Sequence, residues 1–136
     1  MTDALAKLHT SLIDTIKGYD EAIKDAEEPG LRALFQDARD MHQRHHLELH
    51  KALEAAGRHP DDSGSFMATV HATVISVRAA VTGLEGAVSA FASGEERIVS
   101  EYDAAIEEAD NETKAMLITQ RGMVVAKIAE LKAAAR

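Results

Sequence analysis

The sequence predicts an all-α protein built as a four-helix bundle, and three observations carry that prediction. Apolar residues recur at three- and four-residue steps over most of the chain, which is the period of a helix with one buried side. Ala, Leu, Glu and Lys are plentiful, and no run alternates polar and apolar residues as a strand would. The first and last parts of the chain also resemble each other, as two copies of one unit would.

The first two helices are predicted to form a hairpin. Leucine, isoleucine and tyrosine at helical spacing predict a helix from Asp3 to about Glu27. Pro29-Gly30 ends this helix and starts a second one, which runs to Gly57, because proline fits the first turn of a helix but not its interior. So short a connection makes the two helices antiparallel neighbours, and residues 3–57 form the first hairpin.

The middle of the chain, residues 58–92, is predicted to be a crossover of low charge. From Phe66 to Ser93 the only formal charges are Arg78 and Glu85, whereas Val, Ala, Ile and Thr are frequent. These charges, with many Thr, Ser and Gly residues, favour a buried crossover helix over a membrane span. Four helices of this size cover only one side of it, so we expect a homodimer or a higher homo-oligomer whose interface includes part of Phe66 to Phe91.

The second hairpin is predicted to cover residues 93–135. Ser93-Gly94-Glu95-Glu96 has the S-x-x-E pattern of a capping box, which predicts a helix start at about Gly94. Asp110-Asn111 separates this helix from the last one.

The internal similarity supports two equivalent hairpins. Tyr19-Asp20-Glu21-Ala22-Ile23 matches Tyr102-Asp103-Ala104-Ala105-Ile106. The match continues with Arg39, Met41, Glu48 and Leu49 against Arg121, Met123, Glu130 and Leu131. Two such hairpins pack into one bundle with a pseudo-twofold axis, so residues 1–136 are expected to form a single domain.

Candidate chemistry is concentrated between Met41 and His50, a stretch that holds four of the seven histidines. On a helix, His42, His46 and His50 form one row, and His42 and His45 form a second close pair. Two imidazoles four residues apart can bind one metal ion, although a helix with some histidines in its core has the same spacing.

The internal repeat predicts which of these histidines are buried and which are exposed. His42 and His46 match apolar residues of the last helix, which predicts core positions. His45 and His50 match lysines, which predicts positions at the edge or in water. Counting back through the turn between the first two helices places His9 near His50. An inward histidine among aliphatic residues must be neutral and hydrogen-bonded, or must bind a ligand.

Three short motifs carry a family resemblance. Gly18-Tyr19-Asp20-Glu21-Ala22, Leu34-Phe35 and Pro60-Asp61-Asp62-Ser63-Gly64-Ser65 resemble those of an uncharacterised bacterial four-helix-bundle family within the ferritin-like superfamily. The resemblance covers essentially the whole chain. It implies a ferritin-like bundle of two hairpins joined by a long crossover helix, and it implies no particular activity.

The ligands of a paired-iron site, which other members of that superfamily carry, are incomplete in this sequence. Those members have a glutamate on the first and third helices of the four and a Glu-x-x-His on the second and fourth. Here no Glu or Asp stands three residues before any histidine, and Leu12 aligns with Glu95, so only the second hairpin has the expected inward carboxylate. We therefore expect no paired-iron site. Glu95 is expected to cap a helix or to pair with Lys127, with metal ligation as the alternative.

The composition of the chain argues against several classes of function. The net charge of −8 and the lack of a basic run oppose binding to nucleic acid and to anionic membranes. The absence of cysteine and of a secretory signal favours the cytoplasm. Enzymatic activity is not expected, since the chain has no cysteine nucleophile, no G-x-S-x-G motif and no phosphate-binding glycine loop.

Two interpretations of function stay open. The first is a non-catalytic helical-bundle protein without a cofactor, in a stress-related role, that acts through self-association or a partner. The alternative is a metal-binding or redox protein that holds one Zn, Fe, Ni or Cu ion. Its candidate ligands are His42, His46, His45, His50 and Glu95.

Overall fold

The structure, a computed structural model, describes residues 3–60 and 84–134. Within these ranges every element is a helix: α1 (Ala4–Asp25), α2 (Pro29–Ala55), α3 (Leu84–Glu108) and α4 (Asn111–Ala134). α1 packs on α2 and α3 packs on α4, while α1 also contacts α3 and α2 contacts α4. This arrangement confirms the predicted four-helix bundle, and it places α2 and α3 diagonally across the core.

Acidic side chains at the helix starts explain where three of the helices begin. Asp3 accepts a hydrogen bond from the amide of Ala6 at 3.1 Å and caps α1. Glu28 caps α2 in the same way, and Asp110 caps α4. These carboxylates satisfy amides that have no partner inside the helix.

The predicted helix start at Gly94 is wrong. α3 runs without a break from Leu84 to Glu108, so Ser93 lies inside the helix, where its side chain is exposed. A Ser-x-x-Glu pattern is compatible with a helix interior as well as with a cap, and so does not fix a boundary by itself. Residues 84–92 therefore belong to the third helix of the bundle. Residues 61–83, the rest of the expected crossover, lie outside the described residues.

The same ion pair occurs in both hairpins. Arg39 Nε donates to Asp20 Oδ1 at 2.9 Å and links α2 to α1. Arg121 Nε donates to Asp103 Oδ1 at 2.6 Å and links α4 to α3. These residues also match in the sequence repeat, so the two hairpins share this contact between their helices.

One end of the core is mainly aliphatic, with Tyr102 among the leucines, and the other end is aromatic. Leu8, Leu12, Leu49 and Leu53 are buried toward the end where α1 begins. At the other end the rings of Tyr19, Phe35 and Phe91 pack together, with the Tyr19 and Phe91 centroids 4.4 Å apart. Among the described helices, none combines the length and the apolarity that a bilayer span requires.

Candidate metal site

A buried pair, His42 of α2 and Glu95 of α3, lies in the centre of the bundle. His42 Nε2 is 2.7 Å from one Glu95 oxygen and 2.9 Å from the other, and both side chains are buried. The ring of Tyr19 stacks on His42 with centroids 6.1 Å apart. Burial raises the pKa of the Tyr19 hydroxyl, and the Glu95 charge raises it further, so this hydroxyl is neutral. The pair therefore joins the two hairpins across the diagonal of the core.

The expected roles of Glu95 as a helix cap or as a partner of Lys127 are wrong. Glu95 lies well inside α3, and its carboxylate contacts His42. Lys127 Nζ instead contacts Asp37 at 2.5 Å and Glu130 at 2.8 Å, toward the surface. A lysine can bury its aliphatic stem and still carry its charge to the edge of the bundle, so it does not need an interior carboxylate.

His45 is buried, although it was predicted at the edge. Its side chain is 1% exposed, and neither ring nitrogen has a hydrogen-bond partner among the described residues. Burial lowers the pKa of His45 to about 4, and the charges of His42 and Arg44 contribute to the shift. Lys127, which His45 matches in the repeat, is itself only 7% exposed at its side chain. A histidine that matches a lysine in the repeat is therefore not necessarily exposed to solvent.

A second cluster of imidazoles, which we call the histidine triad, consists of His9 of α1 and His46 and His50 of α2. One nitrogen from each ring lies within 4.8 Å of the other two. His9 Nε2 is 3.0 Å from His50 Nδ1, and the ring centroids of His9 and His46 are 4.6 Å apart. His9 and His46 are buried and His50 is half-buried. The four-residue spacing places His46 and His50 on one side of α2, and the hairpin register places His9 opposite them.

The triad is close to the geometry of a metal site. Zinc holds imidazole nitrogens at about 2.0 Å, so two nitrogens of a tetrahedral site lie about 3.3 Å apart. In the triad, His9 Nε2 and His50 Nδ1 are already near this spacing at 3.0 Å, and all three nitrogens lie within 4.8 Å of one another. The other nitrogen of His50, Nε2, lies 3.5 Å from a Glu54 carboxylate oxygen. A carboxylate beside the far nitrogen of an imidazole favours the tautomer with its proton on that nitrogen, which leaves the lone pair on Nδ1.

A cavity of about 260 Å³ adjoins the triad at His9. Its wall also includes Asp3, Thr10, Arg58 and His59. Asp3 and Arg58 form an ion pair with each other. Of the three triad residues, His9 is the one that lines the cavity.

The five metal ligands that were predicted from the sequence do not all lie together in the structure. It brings His46 and His50 together and adds His9, which the hairpin register had placed near His50. It pairs His42 with Glu95 and leaves His45 outside the triad. Whether any of these residues ligates an ion stays a prediction.

The family of this chain is identified from its first 108 residues. Residues 1–108 match the sequence profile of a domain of unknown function, DUF2383. The chain belongs to the DUF2383 family. No curated protein matches it. The predicted resemblance to an uncharacterised helical family is thereby confirmed.

A solved structure supports the fold of this DUF2383 protein. The crystal structure of a conserved hypothetical protein from Mycobacterium tuberculosis is similar to it, with a TM-score of 0.74 and 18% sequence identity. The similarity covers 94% of this chain and 91% of the other. At this identity the likeness shows a shared fold.

Among the described residues, the donor atoms that cluster together are imidazole nitrogens rather than carboxylate oxygens. Imidazole nitrogens bind Zn, Cu, Ni and Fe, and the triad supplies three of them. Two irons need bridging carboxylates, whereas the carboxylate of Glu95 already contacts His42 with both oxygens.

Proposed function

We propose that this DUF2383 protein is a non-catalytic, ferritin-like bundle protein that binds one transition-metal ion. His9, His46 and His50 are the ligands in this proposal. The observation that carries it is the convergence of three imidazole nitrogens, from two helices, within 4.8 Å. Zn, Ni, Cu or Fe would suit such a nitrogen site.

Electrostatics and burial support the proposal. The chain has a net charge of −8, which favours the approach of a cation. His9 and His46 are buried and His50 is half-buried, so an ion at the triad would be largely shielded from water. Neutral imidazoles are the form that ligates a metal.

Metal titration of protein without a histidine tag tests the proposal. We expect one Zn²⁺ or Ni²⁺ per wild-type chain by calorimetry and elemental analysis. His9→Ala and His50→Ala should each remove stoichiometric binding while circular dichroism shows unchanged helix content. His42→Gln is the matched control, because His42 Nε2 contacts Glu95 rather than the triad. Binding that survives His9→Ala but is lost in His42→Gln would assign the ion to the His42 and His46 pair instead.

Self-association, in the cytoplasm, is a second candidate function. Ile118 and Val125 of α4 and Leu47 of α2 are 54%, 44% and 46% exposed. The seven-residue spacing of Ile118 and Val125 places them on one side of α4, and neighbouring apolar side chains at a surface favour association. The interface expected from the sequence, Phe66 to Phe91, lies mostly outside the described residues, and Phe91 itself packs into the core. A stress-related role stays a prediction from the sequence.

Sedimentation at tens of micromolar tests self-association. We expect a dimer or a larger species for the wild type and a smaller one for Ile118→Glu. Ala104→Glu, on the exposed side of α3, is the control and should leave the mass unchanged. A monomeric wild type would count against this candidate.

A further inference from the structure

We propose that His59 is the fourth protein ligand of the ion held by the histidine triad. The inference rests on the proposed metal-binding function. It makes the site a closed, four-histidine site rather than one with a position left open for water or substrate.

A cavity beside the triad connects His59 to one of the triad residues. His59 and His9 line the same cavity of about 260 Å³, His59 from the loop after α2 and His9 from α1. The His59 side chain is exposed, and among the described residues no hydrogen bond or ion pair holds its ring. The imidazole is therefore available to rotate toward the ion.

The loop backbone before His59 is anchored on both sides of the cavity. Gly57 has a φ of 81°, a conformation that favours glycine, and it turns the chain back over the end of α2. The amide of Arg58 then donates to the carbonyl of Leu53 at 3.0 Å, while its guanidinium pairs with Asp3 at the start of α1. These contacts hold the neighbouring residue, His59, at the wall of the cavity.

The other polar groups of the wall are poorer ligands. Asp3 uses one carboxylate oxygen to cap α1 through Ala6 and the other to bind Arg58. Arg58 has no lone pair to offer, and the Thr10 hydroxyl is a weak ligand for an ion that prefers nitrogen. His59 is thus the wall residue that can supply a fourth nitrogen to a tetrahedral site.

Cobalt spectroscopy tests this assignment, since four-coordinate Co²⁺ absorbs visible light much more strongly than six-coordinate Co²⁺. We expect wild-type protein titrated with Co²⁺ to give the intense four-coordinate spectrum. His59→Ala should bind Co²⁺ about tenfold more weakly or worse, because losing even a group that only orients a ligand weakens metal sites by that order. Its spectrum should change, and added free imidazole should restore it. Thr10→Ala, in the same cavity wall, is the control and should behave as the wild type.

The outcomes separate this inference from the proposed function. A wild-type chain that binds no Co²⁺ overturns both. A wild-type chain that binds Co²⁺, together with a His59→Ala chain of equal affinity and unchanged spectrum, overturns only the role of His59. A wild-type spectrum that shifts on adding imidazole also overturns it, since the fourth position would then be open.

Discussion

His42 Nε2 lies between the two carboxylate oxygens of Glu95, at 2.7 Å and 2.9 Å, although the two residues belong to different hairpins. Their side chains are 0% and 1% exposed. Removing one partner from a buried pair leaves the other desolvated without its hydrogen bond, whereas removing both leaves an apolar site.

Glu95→Leu should lower the free energy of unfolding by about 3 kcal/mol, because His42 would lose its buried partner. The double variant His42→Leu/Glu95→Leu should be more stable than the sum of the two single losses predicts. Urea denaturation of the four proteins measures this coupling. Glu96→Ala is the control, since Glu96 is 53% exposed and contacts Lys132 at the surface. Strictly additive losses would contradict a direct interaction between the pair.

Replacing two of the glycines with alanine should change the stability of the protein in opposite directions. Gly57 has a positive φ, so Gly57→Ala should cost about 1 kcal/mol of stability in the strained backbone. Gly122 lies within α4 and has open space where a Cβ would stand, so Gly122→Ala should gain about 0.5–1 kcal/mol. Thermal or urea unfolding measures both changes. A stabilised Gly57→Ala chain would show that the turn adopts another conformation in solution.

The repeated ion pairs should contribute equally and weakly. Arg39 is 29% exposed and Arg121 39%, so solvent screens both pairs. Asp20→Ala and Asp103→Ala should each lower the free energy of unfolding by less than about 1 kcal/mol. High salt should shrink both losses, as urea denaturation in added NaCl would show. A large loss in one hairpin alone would contradict their equivalence.

The sequence predicts the helices well because their period records which side is buried. His42 and His46 match apolar residues of the last helix, and both are buried as expected. The helical period does not show which residue a buried side chain contacts across the core. Glu95 meets His42 across the bundle diagonal, 53 residues away in the chain, and no local pattern encodes that contact. His59 lies in a loop, where an isolated histidine has no helical spacing from which a partner can be predicted.

Stability should decrease in mild acid because of His45. Its pKa is about 4 in the folded protein, against about 6.5 for the unfolded chain. Above pH 6.5 the residue is neutral in both states, and its contribution to stability is fully present. As the pH falls from about 6.5 to about 4, the unfolded chain binds the proton first, so stability falls, by up to about 3 kcal/mol.

The variant His45→Leu isolates this effect, because it removes the titrating group from a buried position while every other ionisable residue is unchanged. Urea denaturation of wild type and variant at about pH 7 and about pH 5, with a chelator present, gives the two slopes of stability against pH. We expect the wild type to lose stability more steeply than the variant over this interval. Parallel slopes would mean that His45 gains its proton as readily in the folded protein as in the unfolded chain. The ring would then have to be solvated in the native state, which its 1% exposure opposes.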